Sequence, residues 1–287
     1  MAEQADTRRM QLLEILAETE ESQDLEALAV RLHCDTRTIR RDLDMLQRML
    51  QRVNTIEVRR SRVLVSRAGY SPGYFTDQLV RHGSAKQSIA HAIVSSLPDD
   101  LAIALTAGST TFAVAQEIRR SVVEGLPPYN PIVFTNSVPS LLELVAAGVA
   151  TGILGEIYAS DDCAFHTPEF HSAFQPGLAI VGASGVLFGG AHGILDLHSH
   201  RAEEAAFLKQ LLANIPEIII AVDSSKLGRR HPWSFGGTVL ADKKIRLVTD
   251  KLTAVQREEL ELLAERLVRS GIVFTFEATN CMEQQTN

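Results

Sequence analysis

The sequence predicts an α/β protein with a small N-terminal domain and a larger domain that contains a mostly parallel sheet. Residues 8–66 carry three short helical patterns and a hairpin, whereas residues 84–277 alternate apolar strand patterns with helices. The chain of 287 residues is long enough for both domains. We therefore expect domains at 1–67 and 84–277, a linker at 68–83 and a disordered tail at 278–287.

The N-terminal domain is predicted to begin with three helices. Apolar residues recur at helical spacing over 9–17 and 25–32, and a very short link then leads to a third helix at 35–46. The apolar residues of the third helix share one face, and Asp35 is placed as its N-cap. A tight turn between the last two of three short helices is typical of a helix-turn-helix domain.

The exposed face of the third helix carries Arg37, Arg40 and Arg41. Guanidinium groups are planar and bidentate, so they suit phosphate and guanine contacts, although a solvated surface helix would carry similar charges. A hairpin with strands at 56–58 and 63–65 would form a wing whose arginine-rich turn can reach the DNA backbone. The candidate DNA contacts are Asp35, Thr36, Arg37, Thr38, Arg40, Arg41, Arg59, Arg60 and Arg62.

Charge is distributed unevenly along the chain. The whole chain has a formal net charge of −7, which by itself argues against a nucleic-acid partner. Residues 35–67, however, contain nine arginines against four carboxylates, a net charge of +5. This basic stretch favours DNA binding by the N-terminal domain, with an affinity that falls steeply as the salt concentration rises.

The composition argues against membrane and disulfide-bonded proteins. No run of about 18 apolar residues is present, and the first residues lack the apolar region of a signal peptide. Cys34, Cys163 and Cys281 are far apart and form no metal-binding motif. We expect a cytoplasmic protein with no membrane partner, no disulfide bond and no zinc site.

The larger domain alternates strands and helices joined by short loops. The apolar run at 101–105 is typical of a parallel strand that is buried on both faces. In sheets of this kind, ligands bind at the carboxyl ends of the strands. Further strands are predicted at 132–134, 151–154, 178–181, 217–222, 245–248 and 272–276, and helices after residue 111 as far as 119 and at 139–147, 201–213 and 254–270.

Polar loops follow several of these strands. The loop 108–111 opens a helix, where backbone N–H groups and the helix dipole attract an oxyanion, although an ordinary N-cap has a similar sequence. Asn136 suits sugar hydroxyls, and Lys226 could supply the cation that a phosphate needs. Together these loops predict a site for a small phosphorylated molecule. The candidate ligand-binding residues in these loops are Gly108, Ser109, Thr110, Thr111, Thr135, Asn136, Ser184, Gly185 and Lys226.

Two other polar segments have alternative interpretations. His192, His198 and His200, with Asp196 between them, could bind a metal ion or supply an acid–base pair, but we favour hydrogen bonding at the rim of the pocket. The Arg-Arg-His sequence at 229–231 is either a solvated loop or a lid that contacts phosphate. We expect no metal ion, no cofactor and no catalytic residue.

Residues 8–66 resemble the N-terminal domain of the DeoR family of bacterial transcription regulators. The sequence at 38–43 matches the family's T-I-R-R-D-L run letter for letter, and Leu28-Ala29 lies at the expected distance before it. Asp35 occupies the family's serine cap position. The chain departs from the family in the wing, where V-R-R-S-R at 58–62 replaces a His-Gly-Gly-Ala-like sequence.

The larger domain resembles the family's effector domain, which shares the fold of ribose-5-phosphate isomerase, glucosamine-6-phosphate isomerase and CoA transferases. Residues 105–110, 135–136 and 223–226 correspond to its Asp-x-Gly-Thr/Ser-Thr loop, its Thr-Asn loop and its Asp-x-Ser-Lys motif. Either Glu203 or Glu204 falls at the position of a family glutamate, and we take Glu203 as the effector contact.

The resemblance implies a winged helix-turn-helix regulator that represses genes of sugar or carbohydrate metabolism, responds to a phosphorylated sugar and acts as a homo-oligomer, either a dimer or a tetramer. Thr106 stands where the family has an aspartate, and Leu154-Gly155 stands in place of Gly-Gly, which implies altered recognition of sugar hydroxyls or lost effector binding. One alternative is an isomerase-like or transferase-like enzyme with a regulatory DNA-binding head. Another is a constitutive DNA-binding protein with a decayed pocket.

Overall fold

The computed structural model describes residues 8, 9, 11, 12, 15, 23–50, 54–59, 62–67, 78, 79, 81–160, 162–166, 176–188 and 195–279. The chain divides into two compact units, Met1–Gly83 and Ser84–Asn287. Among the residues described, no helix is long and apolar enough to cross a membrane. The α/β class, with helices and a hairpin before a parallel sheet, is confirmed.

The first unit combines helices with a three-stranded antiparallel sheet. Its elements are β1 (Gln23–Asp24), α1 (Leu25–Arg31), α2 (Thr36–Leu50), β2 (Asn54–Arg59) and β3 (Arg62–Arg67). The strand order is β1-β3-β2, and α2 ends later than the predicted residue 46. Of the predicted helix at 9–17, the described residues Arg9, Gln11, Leu12 and Ile15 are helical, and the others lie outside the described residues.

The apolar face of α2 forms the core of this unit. Ile39, Leu43 and Leu46 are at most 2% exposed, and they lie in one cluster with Leu25 and Leu28 of α1. The spacing of these residues along α2 places them on one side of the helix, so the opposite side is left for charged residues. The predicted orientation of α2 is therefore confirmed.

The second unit contains five α-helices and twelve strands within the described residues. Its helices are α3 (Gly83–Val94), α4 (Ser109–Glu124), α5 (Val138–Ala146), α6 (Ala202–Ala213) and α7 (Ala254–Arg269). Its strands are β4 (Ala102–Leu105), β5 (Ile132–Thr135), β6 (Ala150–Ile153), β7 (Ile157–Ala159), β8 (Ala164–His166), β9 (Leu178–Val181), β10 (Gly185–Leu187), β11 (Asp196–Ser199), β12 (Glu217–Ala221), β13 (Trp233–Ser234), β14 (Lys244–Thr249) and β15 (Val273–Ala278).

Seven of these strands form one parallel sheet in the order β15-β14-β12-β9-β4-β5-β6. Strand β9 shows how the sheet is covered on both faces, because its side chains alternate between two apolar clusters. Ala179 and Val181 belong to the cluster that includes α6 and α7, whereas Leu178 and Ile180 belong to the cluster with α3 and α4. The continuous apolar strand patterns of the sequence follow from this two-sided burial.

The sequence patterns missed several short elements. Helix α3 begins at the end of the predicted linker. Strand β1 of the first unit and five short strands of the second unit were not predicted. Of those five, β7 and β8 form a hairpin, while β10, β11 and β13 form a small antiparallel sheet. Strand β15 extends one residue into the predicted disordered tail, and Thr279 N–H donates to Thr249 C=O. The rest of that tail, 280–287, and most of the predicted linker lie outside the described residues.

Candidate functional site

The N-terminal half of α2 presents the predicted DNA-binding face. Arg37, Arg40 and Arg41 are exposed, on the opposite side of the helix from Ile39. The carboxylate of Asp35 accepts a hydrogen bond from the backbone N–H of Thr38 at 2.6 Å, so Asp35 caps the helix. Chiefly through this backbone hydrogen bond, the pKa of Asp35 is lowered. The cap carboxylate therefore stays ionised at the start of the arginine-bearing turn.

The hairpin of β2 and β3, which was predicted as the wing, belongs to the same unit as α2. Arg59 and Arg62 are paired across the end of β2 and β3, immediately beside the turn. Arg60 lies outside the described residues. Thr36 and Thr38 lie half-buried in the first turn of α2. These residues remain candidate DNA contacts.

Sequence reasoning gave no role to Asp42, which the structure places in the interior of the first unit. Its side chain is 1% exposed and accepts hydrogen bonds from Arg8 Nε at 2.6 Å and Arg9 Nε at 3.0 Å. The hydrogen bond from Arg8 raises the pKa of that guanidinium. Asp42 adjoins the buried Leu43 in the sequence, which is the one signal that could have suggested its burial.

In the second unit, the loops after β4, β5 and β9 are tied together at the carboxyl edge of the sheet. Asn136 Oδ1 accepts a hydrogen bond from Ala107 N–H at 2.7 Å, and its Nδ2 donates to Phe165 C=O at 3.0 Å. Thr106 Oγ1 accepts from Gly182 N–H at 3.3 Å. The Asn136 amide therefore holds three segments together, and Thr106, which is 0% exposed, joins two of the loops.

Helix α4 begins at this edge with an open N-terminus. Gly108 has a φ of +145°, a value that L side chains rarely adopt, and no side chain caps the helix. Thr111 Oγ1 donates back to Gly108 C=O at 3.0 Å. The first backbone N–H groups of α4, at the half-buried Ser109 and the buried Thr110, are therefore available to an anion.

Ser184 and His200 form the next part of the edge. Ser184 Oγ lies 3.0 Å from His200 Nδ1, and the other ring nitrogen of His200 lies 3.8 Å from Asp162 Oδ1. Burial lowers the pKa of His200, against the opposing effect of Asp162. A neutral imidazole beside a hydroxyl can both donate and accept, which suits the hydroxyl groups of a sugar.

The two glutamates at the start of α6 face different surroundings. The side chain of Glu203 is 67% exposed, so the structure does not bring this predicted contact into the cluster. Glu204 lies inside instead, where it accepts a hydrogen bond from Ser199 Oγ and approaches His200 Nδ1 to 4.0 Å. Burial raises the pKa of Glu204. The residue that could contact an effector here is therefore Glu204, one position further along the helix.

Lys226 lies in a 3₁₀ turn, Ser224–Lys226, after β12 and is 9% exposed. The turn is anchored by Asp250, which accepts hydrogen bonds from the backbone and hydroxyl of Ser224 at 2.5 and 3.2 Å. Burial lowers the pKa of both His200 and His231, and the charge of Lys226 lowers both further. The backbone C=O of Lys226 accepts a hydrogen bond from Arg229 N–H at 3.3 Å, so Lys226 lies beside the segment that contains His231.

The remaining predicted histidines have other positions. His198 is buried on β11, where its Nδ1 donates to His231 C=O at 2.7 Å and its Nε2 lies 3.0 Å from Asp196 Oδ2. His192 lies outside the described residues. Across the described part of the chain, no three histidine, cysteine, aspartate or glutamate side chains are grouped to hold a metal ion.

Comparison with known proteins identifies both units. A family model described as the DeoR C terminal sensor domain matches residues 81–251, and a model described as an HTH domain matches residues 8–71. Among curated proteins no match was found.

Solved structures similar to part of the chain include ribose 5-phosphate isomerases from Plasmodium falciparum (19% identity, TM-score 0.37, 50% of this chain and 52% of that one) and Methanocaldococcus jannaschii (20%, 0.36, 50% and 53%). Another is eIF2B delta from Chaetomium thermophilum (14%, 0.33, 52% and 50%). The chain spans about half the length of each of these structures.

Proposed function

This chain belongs to the DeoR family, and we propose that it is a DNA-binding regulator that represses genes of sugar or carbohydrate metabolism. The observation that carries this proposal is the arginine face of α2, which lies opposite a buried apolar face at the start of the helix. Helix-turn-helix proteins insert this part of their second helix into the major groove. The proposed DNA contacts are Asp35, Thr36, Arg37, Thr38, Arg40, Arg41, Arg59, Arg60 and Arg62.

The arginine face can be tested on a DNA fragment that the purified protein selects from a random duplex pool. Each lost arginine contact costs about 1–3 kcal/mol, so Arg40→Ala with Arg41→Ala should weaken binding by about 30-fold or more. The salt dependence of log Kd should also become shallower. Arg257→Ala, at an exposed position on α7, is the matched control and should bind like the parent protein. Equal gel-shift titration curves for all three proteins would contradict the assignment.

The proposed effector is a phosphorylated sugar bound at the carboxyl edge of the parallel sheet in the sensor domain. Its phosphate would lie on the open N-terminus of α4, where backbone N–H groups and the helix dipole attract an anion. Ser184, His200 and Glu204 would contact the sugar hydroxyls, and Lys226 would add positive charge near the phosphate. If the effector binds more tightly to the conformation that has low affinity for DNA, effector binding lowers the affinity for the operator.

The role of Lys226 can be separated from DNA binding. Lys226→Ala should reduce the response of DNA binding to the effector, while operator affinity without effector stays within about twofold of the parent value. Lys209→Ala is the matched control, because Lys209 is exposed on α6. Equal inducer sensitivity in Lys226→Ala and the parent protein would remove Lys226 from the site.

We further propose that the protein is cytoplasmic and acts as a homo-oligomer, because two heads on a dimer read two half-sites of an operator.

An isomerase-like or transferase-like enzyme is the second candidate function. It is favoured by the proximity of Glu204 to His200, since a carboxyl group with a raised pKa and a nearby imidazole can exchange protons with a substrate. Turnover of a sugar phosphate by the purified protein would support the enzyme, whereas thermal stabilisation without turnover would support the sensor.

A further inference from the structure

The Arg-Arg-His segment at 229–231 is fastened to the edge of the candidate effector site. Gly228 N–H donates to Val186 C=O at 2.8 Å, and Arg229 N–H donates to Lys226 C=O at 3.3 Å. At the other end of the segment, His231 C=O accepts the hydrogen bond from His198 Nδ1. The backbone of the segment is thus held at both ends, while Arg229 and Arg230 are exposed, as the solvated-loop interpretation expects.

The backbone of this segment lies directly against β10. A Cβ atom added to Gly185 would lie only 2.2 Å from the carbonyl oxygen of Arg229, so only glycine permits this approach. Strand β13 then begins at Trp233 and pairs with β11, which holds the chain after the segment. Residues 229–231 are therefore held beside Ser184, the residue that contacts His200.

The segment concentrates positive charge. Arg229 and Arg230 are exposed, and neither forms an ion pair with any residue that the structure describes. Burial lowers the pKa of His231, and the charges of Lys226, His198 and Arg229 lower it further. Asp196, which faces His198, accepts a hydrogen bond from Ser234 Oγ at 2.6 Å. The chain has a net charge of −7, yet this segment places two exposed arginines side by side, and a local positive patch of this kind attracts an anionic ligand.

We infer that Arg229, Arg230 and His231 form a second anion subsite, and that the effector is a sugar carrying two acidic groups, such as a bisphosphate or a phosphorylated sugar acid. This inference rests on the proposed function, because the first phosphate lies on α4. Residues 182–185 separate the two subsites: Gly182 bonds Thr106 on the α4 side, and Gly185 touches Arg229. Three residues of chain span at most about 10 Å, a separation that a sugar with an acidic group at each end can bridge.

The arginines would bind the second group as bidentate, charge-assisted donors. They are exposed, so replacing them should leave the fold intact. Glutamine keeps much of the side-chain length while it removes the charge. The test variant is therefore Arg229→Gln with Arg230→Gln, and Arg257→Gln on α7 is the matched control.

The test measures Kd by calorimetry on the purified full-length proteins. The ligands are ribose, glucose and fructose, each as a monophosphate and as a bisphosphate, together with 6-phosphogluconate and inorganic phosphate. The parent protein and Arg257→Gln should bind one doubly acidic ligand at least tenfold more tightly than the matching monophosphate. In the double variant this preference should fall to about twofold or less, while the monophosphate affinity changes by less than about threefold.

Two results would overturn the inference of a second subsite without refuting the proposed function. The first is equal affinity of the parent protein for a monophosphate and for the matching doubly acidic ligand. The second is an unchanged preference in the double variant. If none of these ligands binds the parent protein, the proposed sugar-phosphate site itself is refuted, and the second subsite with it.

Discussion

Replacing Asp42 with asparagine should destabilise the N-terminal unit without changing its shape. Asparagine has nearly the same volume as aspartate but carries no charge. Its side chain has a single acceptor oxygen, so it can accept a well-formed hydrogen bond from only one of the two guanidinium groups. The carboxylate it replaces is 1% exposed and bonded to both Arg8 and Arg9. The substitution therefore leaves two arginines facing each other around a neutral amide.

The size of the effect follows from the exposure of each partner. Removing one member of a fully buried ion pair costs about 3–5 kcal/mol. The side chains of Arg8 and Arg9 are 23% and 22% exposed, so water can solvate part of each guanidinium after the change. We therefore expect a loss of about 2 kcal/mol, which raises the opening equilibrium of the unit about 30-fold.

Hydrogen–deuterium exchange of the full chain can measure the loss of stability in the N-terminal unit separately from the second unit. Amides of α1 and α2 should exchange about 30-fold faster, whereas amides of β9 and β12 in the second unit should keep their rates. Asp44→Asn is the matched control, because Asp44 is exposed two residues further along the same helix. If the two variants exchange α2 at equal rates, the buried ion pair does not stabilise the unit.

Two further predictions concern the second unit. Gly185→Ala should lower its stability by about 1–3 kcal/mol in thermal unfolding, because the new methyl group would overlap the carbonyl of Arg229. Gly177→Ala meets its nearest atom at 3.8 Å and should be nearly neutral; equal losses would refute the close contact. Burial lowers the pKa of His200 in the folded protein below its ordinary value of 6.5. Below pH 6.5 the unfolded chain therefore binds more protons at this residue than the folded protein does, and the stability of the folded protein falls as the pH drops. The decrease in Tm between about pH 7.5 and about pH 5.5 should therefore be smaller for His200→Gln than for the parent protein. An equal decrease in both proteins would show that His200 does not contribute to the pH dependence of stability.

The helices and strands that could be predicted have patterns longer than a turn and are buried in a regular way. The parallel strands appear as apolar runs because helices cover both faces of the sheet, as β9 illustrates. Strands such as β7, β10 and β13 contain only two or three residues, too few for a periodic pattern. They form because other strands offer hydrogen-bonding partners.

The candidate site shows the same division at the level of single residues. The sequence singled out the loops at 108–111 and 135–136, and both lie at the carboxyl edge of the sheet. It did not show that Asn136 holds neighbouring loops together, nor that Glu204 rather than Glu203 faces inward. Neighbouring glutamates on a helix point about 100° apart, so one residue decides which of them reaches the site.

The sequence alone determined the α/β class, the orientation of α2 with its arginines outward, and the membership of a family of regulators suggested by the 38–43 run. These properties depend on residues within a few positions of one another, where helical and strand periods act. Only the tertiary structure decided the burial of Asp42 and the fastening of residues 229–231 against Gly185. Each of these depends on contacts between residues more than 30 positions apart, which no local pattern encodes.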